Sequence, residues 1–161
     1  MATIRVVALL PFVLALASCQ PPPPPPSEAA ATSAPAPKTQ TIAVVEHATT
    51  DAVTDTGAKG NSAGDVLTFA NEVFDAANEK KIGSDQGFCV RTAPGTSWEC
   101  LWTLVLSDGQ ITVEGPFLDA GDSVLAVTGG TGAYQGAGGE MKLHSRDAKG
   151  TEYDFRYELA W

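Results

Sequence analysis

From Thr41 onward, apolar and polar residues alternate in short runs separated by turn residues, the period-two pattern of strands with one buried face. The last run is the clearest. Tyr153, Phe155, Tyr157, Leu159 and Trp161 fall on one face, and Glu152, Asp154, Arg156 and Glu158 on the other, so one side is dry and the other wet. Trp98, Cys100, Trp102, Leu104 and Leu106 share a face, and Ile111, Val113, Gly115 and Phe117 alternate with Gln110, Thr112 and Glu114. Turn chemistry divides the runs at Ala93-Pro94-Gly95-Thr96, Ser107-Asp108-Gly109 and Asp147-Ala148-Lys149-Gly150. Strands are expected near residues 41–48, 64–74, 82–92, 97–106, 109–118, 122–128, 138–146 and 151–161. Helix competes only over Leu67 to Lys81, where Asn78-Glu79-Lys80-Lys81 reads as easily as a hairpin tip. Eight such runs predict an all-β domain, an eight-stranded antiparallel up-and-down β-barrel that leaves no open sheet edge, with a two-sheet sandwich as the alternative.

The chain ahead of this pattern is different. Arg5 precedes an apolar run from Val6 to Ala17 broken by Pro11, too short for the roughly 20 residues of a membrane-spanning helix and suited to a secretory signal peptide. Leu16-Ala17-Ser18-Cys19 resembles the lipobox of bacterial lipoproteins. That resemblance implies lipidation of Cys19, with two or more acyl chains giving a stable anchor. Gln20 in place of an inner-membrane retention aspartate implies, in a two-membrane bacterium, the outer membrane, at its periplasmic face or the cell surface. Eight of the 11 prolines lie between Pro21 and Pro37, and the run Pro21 to Pro26 extends roughly 20 Å as polyproline II, a semi-rigid stalk. The expected organisation is a signal peptide over 1–18, a lipidated cysteine and linker over 19–40 and a barrel over 41–161.

A net charge of −9 from 10 basic and 19 acidic residues lacks the basic footprint that nucleic acid requires. His47 and His144 with three cysteines form no CxxC or HExxH spacing, so no metal site is expected. With Cys19 assigned to lipid, Cys89 and Cys100 remain as a pair in an exported chain. Their positions sum to 189, as do Val90 with Glu99 and Thr92 with Ser97 about the Pro94-Gly95 turn, which opposes the cysteines across a hairpin at near-disulfide distance. A redox pair or a free nucleophile at Cys89 is the alternative.

Gly115-Pro116-Phe117-Leu118, Leu125-Ala126-Val127-Thr128-Gly129-Gly130-Thr131-Gly132, Gly136-Ala137, Gly139 and Lys142-Leu143 together resemble the allene oxide cyclase family, with the dirigent proteins as more distant cousins. The similarity runs from about Leu67-Thr68-Phe69-Ala70-Asn71 through Gly87-Phe88-Cys89-Val90 to the last strand. A dinucleotide fingerprint fails at Gln135, where its third glycine should stand. The glycines are expected instead to serve a bulge and a close strand crossing as the chain turns between strands. The resemblance implies a barrel around an apolar cavity, no cofactor, and a homotrimer as the assembly to look for. It also implies a first-strand glutamate that helps open an unstable fatty-acid epoxide. Val44-Val45-Glu46 aligns Glu46 with that glutamate, and Ile42, Val44, Glu46 and Ala48 share a strand face opposite His47. Without the alignment, a solvated strand carboxylate is the plain reading of Glu46. Ala48 stands where the family has an asparagine, and Cys89 falls on a cavity cysteine. Val44, Phe69, Asn71, Cys89, Trp102, Phe117, Tyr153, Phe155 and Tyr157 are the expected ligand-binding residues around catalytic Glu46, and His144 is expected on the outer surface with Glu140 and Lys142.

Three functions fit this sequence. One is a cofactor-free isomerase or cyclase of a reactive, unsaturated, lipid-like molecule, which asks of the protein mainly positioning, desolvation and one carboxylate. The second is a non-catalytic barrel carrying an apolar small molecule. The third is a structural envelope lipoprotein with a filled barrel.

Overall fold

Nine strands follow one another in the computed structural model, which describes residues 36–161: β1 (Thr39–His47), β2 (Ala52–Thr54), β3 (Val66–Asp75), β4 (Lys81–Ala93), β5 (Ser97–Leu106), β6 (Gly109–Leu118), β7 (Ser123–Gly132), β8 (Gly138–Ser145) and β9 (Glu152–Ala160). Strands β3 to β9 form a meander of antiparallel neighbours, and β1 inserts between β9 and β3 to close it. The result is the expected eight-stranded barrel, with the short β2 added along β3. The signal peptide, Cys19 and most of the linker lie outside the described residues. β1 starts at Thr39, slightly ahead of the expected barrel start at 41.

Strand parity behaves as the alternation requires. Trp98, Cys100, Trp102, Leu104, Ile111, Val113, Leu125, Val127, Met141, Leu143, Phe155, Tyr157 and Leu159 are buried, while their strand neighbours such as Glu99, Glu114, Lys142 and Arg156 face solvent. No part of 67–81 is helical. It forms β3 and the hairpin tip to β4, where Asn78 takes a left-handed φ of 60°.

The glycine block departs from expectation. β7 does not end at residue 128 but runs on to Gly132, pairing Gly129–Gly132 with Gly109–Thr112 of β6 past a bulge at Thr112/Val113. The expected bulge is present; the expected turn is not, because residues 129–132 continue the strand. At Gly130 a Cβ would press against the carbonyl oxygens of Gln110 and Tyr134, 2.7 and 2.6 Å away, so the missing side chain permits a close strand approach rather than a reversal.

Cys89 and Cys100 are paired in register and joined as a disulfide, with Cα atoms 4.0 Å apart. The opposition of Thr92 with Ser97 is not found. A bulge between Arg91 and Ala93 sets Ala93 opposite Ser97, because a three-residue turn with Gly95 at φ 71° shifts the count by one. Replacing both cysteines by alanine should cost about 2–3 kcal/mol through loop-closure entropy, read as a lower urea midpoint at unchanged slope; an unchanged midpoint would show that the link contributes nothing to stability.

Candidate functional site

Glu46 lies on the inward face of β1 and is 5% exposed. His47 points outward, stacking on Phe74 at 4.1 Å and approaching Asn78 Oδ1 at 2.7 Å. The site around Glu46 follows from a gap in the sheet. β1 pairs with β3 only from Val44 to His47, opposite Asp75 to Glu72, and β2 pairs with β3 only opposite Val66 to Thr68. Between them the chain at 48–51 leaves the ladder, and the Asn71 side chain fills in. Its Oδ1 accepts from Thr49 N–H at 3.1 Å, Thr50 N–H at 3.0 Å and Thr50 Oγ1 at 2.9 Å. Its Nδ2 donates to Glu46 Oε1 and Asp51 Oδ1, both at 2.8 Å. Two backbone donors on one side and two carboxylates on the other fix the amide's orientation.

A third carboxyl stands close by. Asp85, opposite Asn71 on β4, is fully buried, and among the described residues neither of its oxygens has a hydrogen-bond partner. Burial drives its pKa far up, and the Glu46 carboxylate adds to the shift. Asp85 therefore stays protonated at neutral pH. Burial also raises Glu46, against the opposing pull of the Asn71 hydrogen bond, to about 7. Both directions follow from taking charge out of water and setting like charges side by side. The pair holds at least one proton at neutral pH, and Glu46 can release or accept a second.

Aromatic rings build the walls. Phe69 meets Trp102 edge-on at 5.9 Å, Trp102 lies 5.6 Å from Phe155, Phe155 lies 6.5 Å from Tyr153, and Tyr153 meets Phe117 edge-on at 6.0 Å. Trp102 fits because its partner is Gly87: a Cβ there would run into the Trp102 Cβ and the Leu101 carbonyl oxygen. The rings, with Glu46, Asp51, Leu67, Leu143 and the disulfide, line a half-open inner pocket of about 30 Å³. Phe117, Leu143 and Tyr153 also border a surface depression of about 460 Å³ under the 146–151 turn. The two aromatics thus stand between a small inner space and a broad outer one.

Of the expected site residues, Glu46, Phe69, Cys89, Trp102, Phe117, Tyr153 and Phe155 line this pocket. Val44, Asn71 and Tyr157 do not. Val44 and Tyr157 belong to the packed core beneath it, and Asn71 is spent on holding Glu46, Asp51 and the 48–51 segment. Cys89 contributes to the wall as half of a disulfide, not as a thiol. His144 is on the outer surface, 2.7 Å from Asp122. Asp51 and Asp85 are additions. Asp85 was within reach of parity, since it shares the inward face of β4 with Cys89. Asp51 lies in an irregular segment that no periodicity marks. Among the described residues no group of three His, Cys, Asp or Glu could hold a metal ion.

The family model for allene oxide cyclase matches residues 35–146. The chain belongs to the allene oxide cyclase family. Among solved structures, this family member is similar to a pyocyanin demethylase at 26% identity and TM-score 0.66, covering 74% of this chain and 99% of the other. It shares the fold of a pterocarpan synthase dirigent protein, at 15% identity and TM-score 0.63 over 76% of this chain and 94% of the other. It also shares the fold of a Diels-Alderase from Streptomyces koyangensis, at 15% identity and TM-score 0.61 over 76% and 68%. The barrel thus has the same fold as those of a dirigent protein and a Diels-Alderase.

Buried Glu46 leaves a thermodynamic signature. Its folded pKa lies above its ordinary 4.5, at about 7, so the unfolded chain ionises first and the wild type loses stability as pH rises through that window. Glu46→Gln has nothing to ionise at this position and should gain about 2–3 kcal/mol on the wild type between pH 4 and pH 8. Urea denaturation across that range checks it; parallel curves would place Glu46 in water.

Proposed function

We propose that this family member is an envelope-anchored protein whose barrel rearranges an unsaturated, reactive small molecule without a cofactor, with Glu46 as its acid–base group. The observation that supports this best is a carboxyl poised near neutrality, hydrogen-bonded by Asn71 and walled by aromatic rings. A group with that pKa can both give and take a proton at working pH. Ionised, it can stabilise positive charge that develops as a strained ring opens, and at a carboxyl as buried as Glu46 the interaction is worth more than in water. Protonated, it can donate to a departing oxygen. The aromatic walls hold a flexible substrate in the conformation from which closure occurs. Carriage of an apolar ligand without reaction is the second reading, favoured by the apolar walls alone.

Glu46→Gln should retain fold and apolar-dye binding while losing stereochemical control over closure of a vinyl epoxide, measured by chiral chromatography. Wild-type protein that binds the dye yet yields the racemic product of buffer would move the carrier reading to first place.

The anchor rests on Leu16-Ala17-Ser18-Cys19 and the proline stalk. Cys19→Ala should shift the protein from the detergent phase to the aqueous phase on Triton X-114 partitioning; unchanged partitioning would remove the lipoprotein reading.

A further inference from the structure

We propose that the Tyr153 ring is a gate: by swinging about its own side-chain bonds it joins the inner pocket to the outer depression, and a ligand reaches Glu46 only while it stands aside. The proposal concerns access to the site described above and rests on the reading that this site takes a small molecule.

The argument starts from two spaces and one partition. The inner pocket measures about 30 Å³ and the depression under the 146–151 turn about 460 Å³. At about 10–15 Å³ for one water, the inner space takes two or so waters and no substrate, so the room for a substrate lies outside. Phe117, Leu143 and Tyr153 border both spaces and form the wall between them. Leu143 belongs to the packed core. Phe117 and Tyr153 are half-buried and meet edge-on at 6.0 Å.

Of the two rings, Tyr153 is the one that can leave at little cost. Its hydroxyl makes no hydrogen bond among the described residues, whereas Tyr134 in the plug is fixed by Asp108 at 2.8 Å. The hydroxyl rests over Gly150, where a Cβ would lie 2.5 Å from its oxygen. The glycine thus leaves room for the tip of the ring in its closed position. Turning the ring outward gives up the aromatic contacts with Phe117 at 6.0 Å and Phe155 at 6.5 Å, and it strips no polar group of a partner.

The backbone around the ring is fixed. Tyr153 pairs with Glu46 of β1 on one side and Ser145 of β8 on the other. The 146–151 turn is held by the Asp147 carboxylate, which accepts from Lys149 N–H at 2.6 Å, Thr151 Oγ1 at 2.6 Å and Glu152 N–H at 3.2 Å. Arg146 N–H closes its base by donating to the Glu152 carbonyl at 2.9 Å. A turn pinned in this way does not lift as a flap, so passage falls to a side chain, which can change rotamer without disturbing the sheet.

A gate has a kinetic form. With the open ring as a minor state of about 0.1–10%, entry and exit are slowed together. A wall residue that only packs on the ligand acts on dissociation alone.

The test mixes a conjugated tetraene alcohol, which is neutral, unbranched and fluorescent, with the full chain in a stopped flow, and follows energy transfer from tryptophan. Tyr153→Ala should raise the association and dissociation rates together, each at least about tenfold. Gly150→Ala sets a Cβ against the hydroxyl and should raise both rates while Tyr153 is present; in a Tyr153→Phe background, where the hydroxyl is gone, it should change neither. The strain of alanine at φ 65° is common to both backgrounds, so the difference isolates the contact. Unchanged association in Tyr153→Ala, with binding intact, would overturn the gate and leave the small-molecule reading standing. An effect of Gly150→Ala that is equal in the two backgrounds would do the same, and this pair decides alone if circular dichroism shows Tyr153→Ala unfolded. Failure of both the wild type and folded Tyr153→Ala to bind the tetraene would reject gate and pocket together.

Discussion

The sheet closes around an interruption, and the side chain of Asn71 bridges it. A barrel has no edge only if every strand finds two neighbours, yet β1 stops at His47 and β2 resumes along β3 only at Ala52. The intervening backbone donors of Thr49 and Thr50 would be left without ladder partners, and the Asn71 oxygen takes both. Ala70 N–H, on the same stretch of β3, goes to Thr50 Oγ1 at 2.7 Å. The spare amide hydrogens then reach inward to Glu46 and Asp51. One side chain thereby both completes the closure of the barrel and sets the direction of the carboxylates, so the geometry of the site is a consequence of where β1 ends.

That arrangement carries an energetic cost which the rest of the interior offsets. Placing Glu46 and Asp85 side by side in a dry space opposes ionisation of both and gives up stability as pH rises. Against it stand Trp102, Phe155 and Tyr157, each 2% exposed or less, and aromatic side chains of this kind bury about 150–250 Å² each. The disulfide braces β4 against β5 one step from Trp102 and Gly87. The most strongly buttressed hairpin is thus the one that carries Asp85 and the largest wall residue.

Alternation made most of this legible. The eight barrel strands, the closed topology and the cysteine register follow from period two and from turn residues, because a half-buried strand leaves no freedom in which side chain faces the core, whereas the inward side of Glu46 needed the family resemblance beside its strand parity. The errors fall where periodicity carries no information. Three of the four residues 129–132 are glycines with no side chains to alternate, which hides the continuation of β7 beyond 128. The three-residue turn at Pro94-Gly95-Thr96 moved the register by one beyond Arg91. Asn71 looked like a lining residue because parity says only that a side chain points inward, not what it meets there. Asp51 owes its place to the gap between β1 and β2, a tertiary feature with no local pattern.

Eight strands enclose an interior only just wide enough to be filled by side chains, so a cavity exists only where some are small or held aside. Here the two ends of the barrel differ. Toward the 106–109 and 132–138 connections, Leu104, Ile111, Val127, Tyr134 and Leu159 pack a solid plug, secured by Tyr134 Oη donating to Asp108 and Trp161 Nε1 to the Gln135 carbonyl. Toward the 48–51 and 146–151 connections, Gly87 makes room for Trp102, and the carboxyl groups of Glu46 and Asp85 take interior positions that the other end gives to apolar side chains. A fold alone does not fix chemistry, and relatives named for demethylation, pterocarpan synthesis and Diels–Alder cycloaddition share this one. Substitutions in the open half change the charge and shape of the site, and at Asn71 they reach the closure of the barrel as well, because the two requirements meet in a single side chain.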